Sequence, residues 1–131
     1  PDALLKILTS VRELTLGKLI IVFGCGGNRD RTKRPAMGKI ASQVADRVII
    51  TSDNPRSESP ESIIDEIMTG INGSTQVEVE VNRRNAIQLA LQNASPGDTI
   101  LVAGKGHENY QEINGIKYPF DDRQVVKESA Q

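Results

Sequence analysis

Hydrophobic positions along the chain alternate between the spacing typical of helices and the spacing typical of strands. Four segments carry apolar residues at helical spacing and predict amphipathic helices: about residues 2–14, 36–45, 59–68 and 83–93. Three short apolar runs, rich in β-branched residues, predict buried strands: residues 18–24, 47–52 and 99–103. Residues 76–81 alternate strictly between polar and apolar side chains, which is typical of a half-exposed strand.

Turn and capping residues support these boundaries. Ser59 is suited to cap the helix over residues 59–68, which has Pro60 in its first position. Pro35 is suited to the first turn of the helix over residues 36–45. Near the end of the chain, Asn114-Gly115 lies between residues 111–113 and 116–120 and predicts a β-hairpin. Asp121-Asp122 then predicts the start of a final helix.

The order of these elements predicts one α/β domain over residues 1–131. We expect three layers, α/β/α, around a mostly parallel sheet of about six strands, with the antiparallel hairpin near the C-terminus. Ligands of such domains bind beyond the carboxyl ends of the strands. The residues that directly follow each strand are therefore the first candidates for a functional site.

Composition narrows the classes of partner. Sixteen Lys and Arg against 17 Asp and Glu give a formal net charge of -1, so no overall basic field attracts nucleic acid or a membrane surface. One Cys and one His make an internal disulfide impossible and a structural zinc site improbable, which indicates a reducing, cytoplasmic environment. No apolar run approaches the length of a membrane-spanning helix.

Three loops that follow predicted strands carry unusual chemistry. The first loop comprises residues 24–30 (GCGGNRD), the second residues 53–56 (DNPR), and the third residues 104–108 (GKGHE). In a parallel sheet all three lie along one edge. We therefore expect them to converge on one ligand.

The first loop begins like a dinucleotide-binding turn, since Gly24-Cys25-Gly26 follows a strand and Asp53 follows the next one. The third glycine of that motif is missing, because Arg29 occupies its place. A flexible glycine-rich turn is the simpler interpretation. Residues 29–34 would then be solvated charges, with neutralisation of phosphates as the alternative, and Cys25 would be a small loop residue, with a nucleophile as the alternative.

The third loop resembles a phosphate-binding loop only superficially. Gly97 lies too far before Gly104, and Gly106 stands where the motif requires Ser or Thr. His107 is interpreted either as a surface hydrogen-bonding residue or, beside Glu108, as an acid/base group.

The second loop has two interpretations. Asp53 and Asn54 offer acceptors and an amide, while Arg56 offers a planar fork for a carboxylate, so the loop suits the head of a zwitterionic amino acid. Alternatively, the loop is an Asx-type turn that caps the next helix, with Arg56 in solvent.

Together these segments resemble the C-terminal domain of the MurE-type ligases of the Mur ligase family. The resemblance runs from residues 22–30 through Lys33-Arg34-Pro35 and the second loop to the third loop, and it spans nearly the whole chain. Pro1-Asp2-Ala3-Leu4 is similar to the end of the family's Tyr-Ala-His-Thr-Pro-Asp-Ala-Leu segment. The chain is therefore expected to be a domain excised from a longer three-domain enzyme.

The resemblance implies a Rossmann-like fold and a site for meso-2,6-diaminopimelate. The positions that hold this amino acid in the family correspond to Arg29, Asp53, Asn54, Arg56, Gly104 and Glu108. Diaminopimelate differs from lysine by a second carboxylate at its far end, which an arginine fork would recognise. Lysine-adding members often differ at the position of Asn54 or Arg56, and this sequence does not.

The implied reaction is ATP-dependent addition of diaminopimelate to UDP-N-acetylmuramoyl-L-alanyl-D-glutamate, through an acyl phosphate, in peptidoglycan synthesis. ATP and Mg²⁺ would be bound mainly by a central domain, and the UDP-sugar by an N-terminal domain of the same ligase. The present domain would orient the amine and supply little covalent chemistry, so alone it is expected to fold without turnover. The alternatives are a lysine-adding homologue, a folylpolyglutamate synthetase-type domain, and a non-catalytic nucleotide-binding module.

Overall fold

A parallel sheet lies at the centre of the structure, which is a computed structural model describing residues 2–27, 30–71, 75–103, 110–113, 116–119 and 122–129. Its strands are β1 (Leu19–Phe23), β2 (Arg47–Ile50), β3 (Gln76–Val79) and β4 (Thr99–Ala103). They are ordered β3-β2-β1-β4, and every pairing is parallel. The carboxyl ends of β1, β2 and β4 therefore lie at one edge, where Phe23 pairs with both Ile50 and Ala103.

Helices cover both faces of this sheet, which confirms the predicted three layers. The helices are α1 (Asp2–Leu14), α2 (Lys33–Val44), α3 (Pro60–Met68), α4 (Arg83–Asn93) and α5 (Asp122–Ser129). Leu19, Ile21 and Phe23 of β1 face the layer of α1, α2 and α3. Ile20 and Val22 face α4 and α5 instead. All five residues of β1 are buried, because the strand lies between two others and beneath helices on both sides.

The capping prediction for α3 is confirmed. Ser59 is its N-cap, the Ser59 side chain accepts a hydrogen bond from the backbone N–H of Ser62, and proline follows at the first position. Asn82 caps α4 in the same way by accepting the N–H of Asn85 at 3.0 Å. The predicted amphipathic helix α1 is also present, but Leu5, Ile7 and Leu14 of its apolar set are exposed.

The two terminal strands form a sheet of their own. β5 (Tyr110–Ile113) and β6 (Ile116–Pro119) pair antiparallel, with Ile113 opposite Ile116. The predicted pair of strands is therefore present, while the parallel sheet itself contains four strands within the described part of the chain. Residues 114 and 115, which carry the predicted turn, lie outside the described residues.

The amino edge of the sheet is held by two carboxylates. Asp46 accepts the N–H of Leu19 at 2.9 Å and pairs with Arg12, and Asp98 accepts the N–H of Lys18 at 2.8 Å. These backbone hydrogen bonds hold the pKa of Asp46 and of Asp98 below the usual range of aspartate. The first and second loops lie at the other end of the strands.

Helices α2 and α3 approach each other closely where α2 contains a glycine. A Cβ at Gly38 would collide with the carbonyl oxygen of Ile67 in α3, and one at Gly70 would collide with that of Pro35. This contact fixes the position of α3, which follows the second loop, against α2, which follows the first. Within the described ranges no helix is both long and apolar enough to cross a membrane.

We expect the substitution Gly38→Ala to destabilise the chain, although alanine normally stabilises a helix by about 1 kcal/mol relative to glycine. The collision with the α3 backbone costs about 1–3 kcal/mol, as overpacked cores do, so the net change should be a loss. Urea unfolding measures the change in the free energy of unfolding. The control is Gln43→Ala on the exposed face of the same helix, which should change stability little. A stabilised Gly38→Ala variant would show that the two helices have room to separate.

Candidate functional site

The first and second loops contact each other directly at the carboxyl edge of the sheet. The backbone N–H of Gly27 donates to the carbonyl oxygen of Asn54 at 2.6 Å. In the other direction, Nη1 of Arg56 donates to the carbonyl oxygen of Gly27 at 2.9 Å and reaches that of Asn54 at 3.4 Å. These two loops therefore meet at one edge of the sheet as predicted, and their convergence on one ligand stays a prediction.

Glycine is required in the first loop because the backbones come so close. A Cβ at Gly24 would collide with the carbonyl oxygen of Thr51, and a Cβ at Gly27 would collide with that of Pro55. These collisions explain the two glycines by contact between loops. Gly24, the first glycine of the dinucleotide-like turn, is therefore accounted for without a nucleotide.

The second loop is buried at its start and holds an unusual backbone at its end. Asp53 is 6% exposed and Asn54 is 1% exposed, although both side chains are polar. Arg56 has a φ of 53°, in the left-handed region that few non-glycine residues adopt. Its side chain is half-buried against the first loop. The interpretation that placed Arg56 in solvent is therefore wrong.

A cleft of about 400 Å³ opens between the first loop and the start of α2. That volume is within the range of small-molecule sites. Its lining comprises Gly24, Cys25, Gly26, Asp30, Lys33, Arg34, Met37 and Asp53. Two carboxylates and two cationic side chains thus surround one space, which is suited to a ligand that carries both signs of charge.

Two ionisable groups of the cleft have altered acidity. Burial raises the pKa of the Cys25 thiol to about 11, and its Sγ lies 3.5 Å from Sδ of Met37. The thiol is therefore protonated at neutral pH, which favours the small loop residue over a nucleophile. Asp30 accepts hydrogen bonds from the hydroxyl and the N–H of Thr32 at 2.6 and 3.0 Å, and these lower its pKa. Asp30 is therefore anionic.

Arg34 is a residue of this site that the sequence analysis missed. The sequence pattern predicts a solvated charge at this position, yet the Arg34 side chain is 1% exposed. Nη1 and Nη2 each lie 2.9 Å from a carboxylate oxygen of Glu58, in a two-pronged pair. Nη1 also contacts Glu66 at 3.2 Å, and Nη2 donates to the carbonyl oxygen of Gly26 at 2.9 Å.

These contacts make Arg34 a link between the two loops. Glu58 lies two residues beyond the second loop, and Gly26 belongs to the first. Hydrogen bonding to Glu58 raises the pKa of Arg34 further, and hydrogen bonding to Arg31 lowers the pKa of Glu66, so Arg34 and Glu66 are both charged. In the sequence Arg34 stands in a charged run and in the Lys33-Arg34-Pro35 motif, and neither reveals its burial. The acidic partners are 24 and 32 residues away, beyond any local pattern.

Several predicted site residues lie outside the described residues. They are Arg29 in the first loop and Gly104, His107 and Glu108 in the third. The strand that leads into the third loop ends at Ala103, beside Phe23 of β1. Their proposed roles therefore stay predictions. In the part of the chain that the structure describes, no three His, Cys, Asp or Glu side chains cluster to hold a metal ion.

Comparison with known proteins places this geometry in a family. Residues 1–106 match the Mur ligase, glutamate ligase domain. The chain belongs to this family. The Mur ligase domain is 56% identical over 128 residues to the UDP-N-acetylmuramoyl-L-alanyl-D-glutamate–2,6-diaminopimelate ligase of Aquifex aeolicus, and 55% identical over 127 residues to the ligase of the same name from Synechococcus elongatus.

A solved structure agrees with the fold of the Mur ligase domain. The structure of a UDP-N-acetylmuramoyl-L-alanyl-D-glutamate–2,6-diaminopimelate ligase superposes with a TM-score of 0.95 at 45% sequence identity, over 99% of this chain and 27% of that one. The two relatives above are matched over 98% and 97% of this chain but only 27% and 26% of their own length. The chain thus spans about a quarter of the proteins it matches.

We expect Arg34→Met to destabilise the Mur ligase domain by about 3 kcal/mol, because the substitution leaves Glu58 without its buried cation. The matched control is Arg31→Met, which removes the other arginine that contacts Glu66. The Arg31 side chain is 68% exposed, so its loss should be much smaller. Urea unfolding of both variants makes the comparison. Equal losses would show that Arg34 contributes as an ordinary surface charge.

Proposed function

We propose that this Mur ligase domain is the amino-acid-binding part of an ATP-dependent ligase in peptidoglycan synthesis. The full enzyme would add meso-2,6-diaminopimelate to UDP-N-acetylmuramoyl-L-alanyl-D-glutamate in the cytoplasm. The observation that carries the proposal is the second loop: Asp53 is buried and lines a cleft of mixed charge, Asn54 is buried next to it in the chain, and Arg56 is held against the first loop. The names of the similar ligases support the same amino acid.

Diaminopimelate fits the chemistry of these loops. At its far end the amino acid has one ammonium and one carboxylate, which need an acceptor and a cationic donor within a few ångströms of each other. Asp53 supplies an acceptor that lines the cleft, and the planar fork of Arg56 suits a carboxylate. Asn54 is proposed to contribute as well, together with Arg29, Gly104 and Glu108 by analogy with the family.

The proposed reaction makes an amide bond in two steps. The D-glutamyl carboxylate attacks the γ-phosphorus of ATP, which releases ADP and leaves an acyl phosphate. The amine of diaminopimelate then attacks the acyl carbon, phosphate leaves, and the amine gives up a proton. This domain contributes by holding the amine in line with the acyl carbon.

Other domains are needed to complete this enzyme. Since the chain spans about a quarter of the length of its relatives, we propose that an N-terminal domain binds the UDP-sugar and a central domain binds ATP and Mg²⁺. Closure of these domains over the cleft would bring the amine to the acyl phosphate and exclude water. The Mur ligase domain by itself is proposed to be inactive.

We expect Arg56→Lys to reduce the kcat/KM of the full-length ligase for meso-diaminopimelate by roughly 10- to 100-fold, the effect of losing a charge-assisted hydrogen bond to a carboxylate. Use of L-lysine, which lacks that carboxylate, should change little. Lysine at position 56 meets the same left-handed backbone as arginine, so the substitution tests the side chain. Initial rates with ATP and the UDP-linked dipeptide, with each amino acid in turn, provide the measurement.

The control is Arg12→Lys, at the opposite edge of the sheet, which should leave both rates unchanged. If the wild-type enzyme prefers L-lysine, the proposal that it is a ligase stands, but the proposed contact between Arg56 and the far carboxylate of diaminopimelate is wrong. Absence of product with either amino acid would overturn the proposed function.

A further inference from the structure

A second buried arginine lies beneath the binding edge of the sheet. Arg83 is the first residue of α4, and its side chain is fully buried. Its guanidinium makes two contacts with the carboxylate of Asp122, from Nε at 2.7 Å and from Nη2 at 2.6 Å. It also donates to two backbone carbonyl oxygens, from Nη1 to Ser52 at 3.1 Å and from Nη2 to Ala103 at 3.2 Å.

These two carbonyls lie at the carboxyl ends of different strands of the sheet. Ser52 lies just beyond β2 and directly precedes Asp53, the first residue of the second loop. Ala103 is the last residue of β4. Strands β2 and β4 flank β1 on opposite sides and are not neighbours. The Arg83 side chain therefore joins the carboxyl ends of two strands that no ladder of hydrogen bonds joins directly.

Only arginine has the geometry for this position. Its planar group presents donors in several fixed directions, so one side chain can meet a carboxylate and two carbonyl oxygens at once. A lysine ammonium is a single point of charge on a flexible stem and does not reproduce the fork. Asp122, 14% exposed, compensates the buried charge, and because it is the first residue of α5 it ties that helix to the same edge.

We propose that Arg83 is a positioning residue for the amino-acid site. It sets the spacing between the ends of β2 and β4, and so the position of Asp53 relative to the rest of the binding edge. Arg83 acts through the backbone and does not line the cleft. The inference rests on the proposed function, since it assigns the residue to the binding of the amino acid by the same site.

This role predicts a selective kinetic effect. In the full-length ligase, Arg83→Lys should raise the KM for meso-diaminopimelate roughly 10-fold or more, because a small displacement of the binding groups weakens their contacts with the amino acid. The KM values for ATP and for the UDP-linked dipeptide should stay within about 2-fold, since those substrates are bound by the other proposed domains. The matched control is Arg84→Lys, the same substitution at the adjacent, exposed arginine, which should leave all three KM values unchanged.

A second variant keeps the inference testable if Arg83→Lys fails to fold. Asp122→Asn retains Arg83 and the shape of its partner but removes the compensating charge. We expect a smaller rise in the KM for diaminopimelate, about 3-fold, with the other two KM values again unchanged. Thermal unfolding of each variant separates this effect from a loss of folded enzyme.

A merely structural role would give a different result. A lower kcat in proportion to the loss of folded protein, with the KM for the amino acid unchanged in both variants, would overturn the inference and leave the proposed function intact. No ligation by the wild-type enzyme with diaminopimelate or lysine would overturn both. If the wild-type enzyme uses lysine alone, a selective rise in the KM for lysine in the Arg83→Lys variant supports the positioning role, and an unchanged KM for lysine overturns it.

Discussion

The carboxyl edge of a parallel sheet is where backbone carbonyls leave the ladder of hydrogen bonds, and in this domain that edge is also covered by loops and helices. Carbonyl groups buried there without donors would each destabilise the fold. Two arginines supply the donors. Arg34 reaches the carbonyl of Gly26 from α2, and Arg83 reaches those of Ser52 and Ala103 from α4. The arrangement of the loops depends on these two buried cations.

Each arginine also brings a carboxylate from a distant part of the chain to the same edge. Glu58 pairs with Arg34 and holds the end of the second loop, while Asp122 pairs with Arg83 and holds the final helix. Removing one partner of such a pair strongly destabilises the fold, because the other charge stays buried without compensation. The rigid frame that results leaves Asp53 beside the cleft and Arg56 against the first loop, as the proposed recognition of a zwitterionic ligand requires.

Local pattern predicted much of this fold. The helix over residues 83–93, the cap at Ser59 and the contact between the first and second loops were all accessible from the sequence, because spacing and capping residues act over a few positions. The burial of Arg34 and Arg83 could not be predicted from the sequence. Their partners lie between 20 and 39 residues away for most contacts, and an arginine in a charged run has the same sequence pattern whether it is solvated or buried.

The pairing of Arg83 with Asp122 has a consequence for folding during synthesis. The two residues are separated by 39 positions, so at 5–20 residues per second the ribosome takes about 2–8 s to add the carboxylate after the arginine. During that interval, burial of Arg83 would leave a cation without its anion. We therefore expect the carboxyl edge of the sheet to reach its final packing only after residue 122 has emerged from the ribosome.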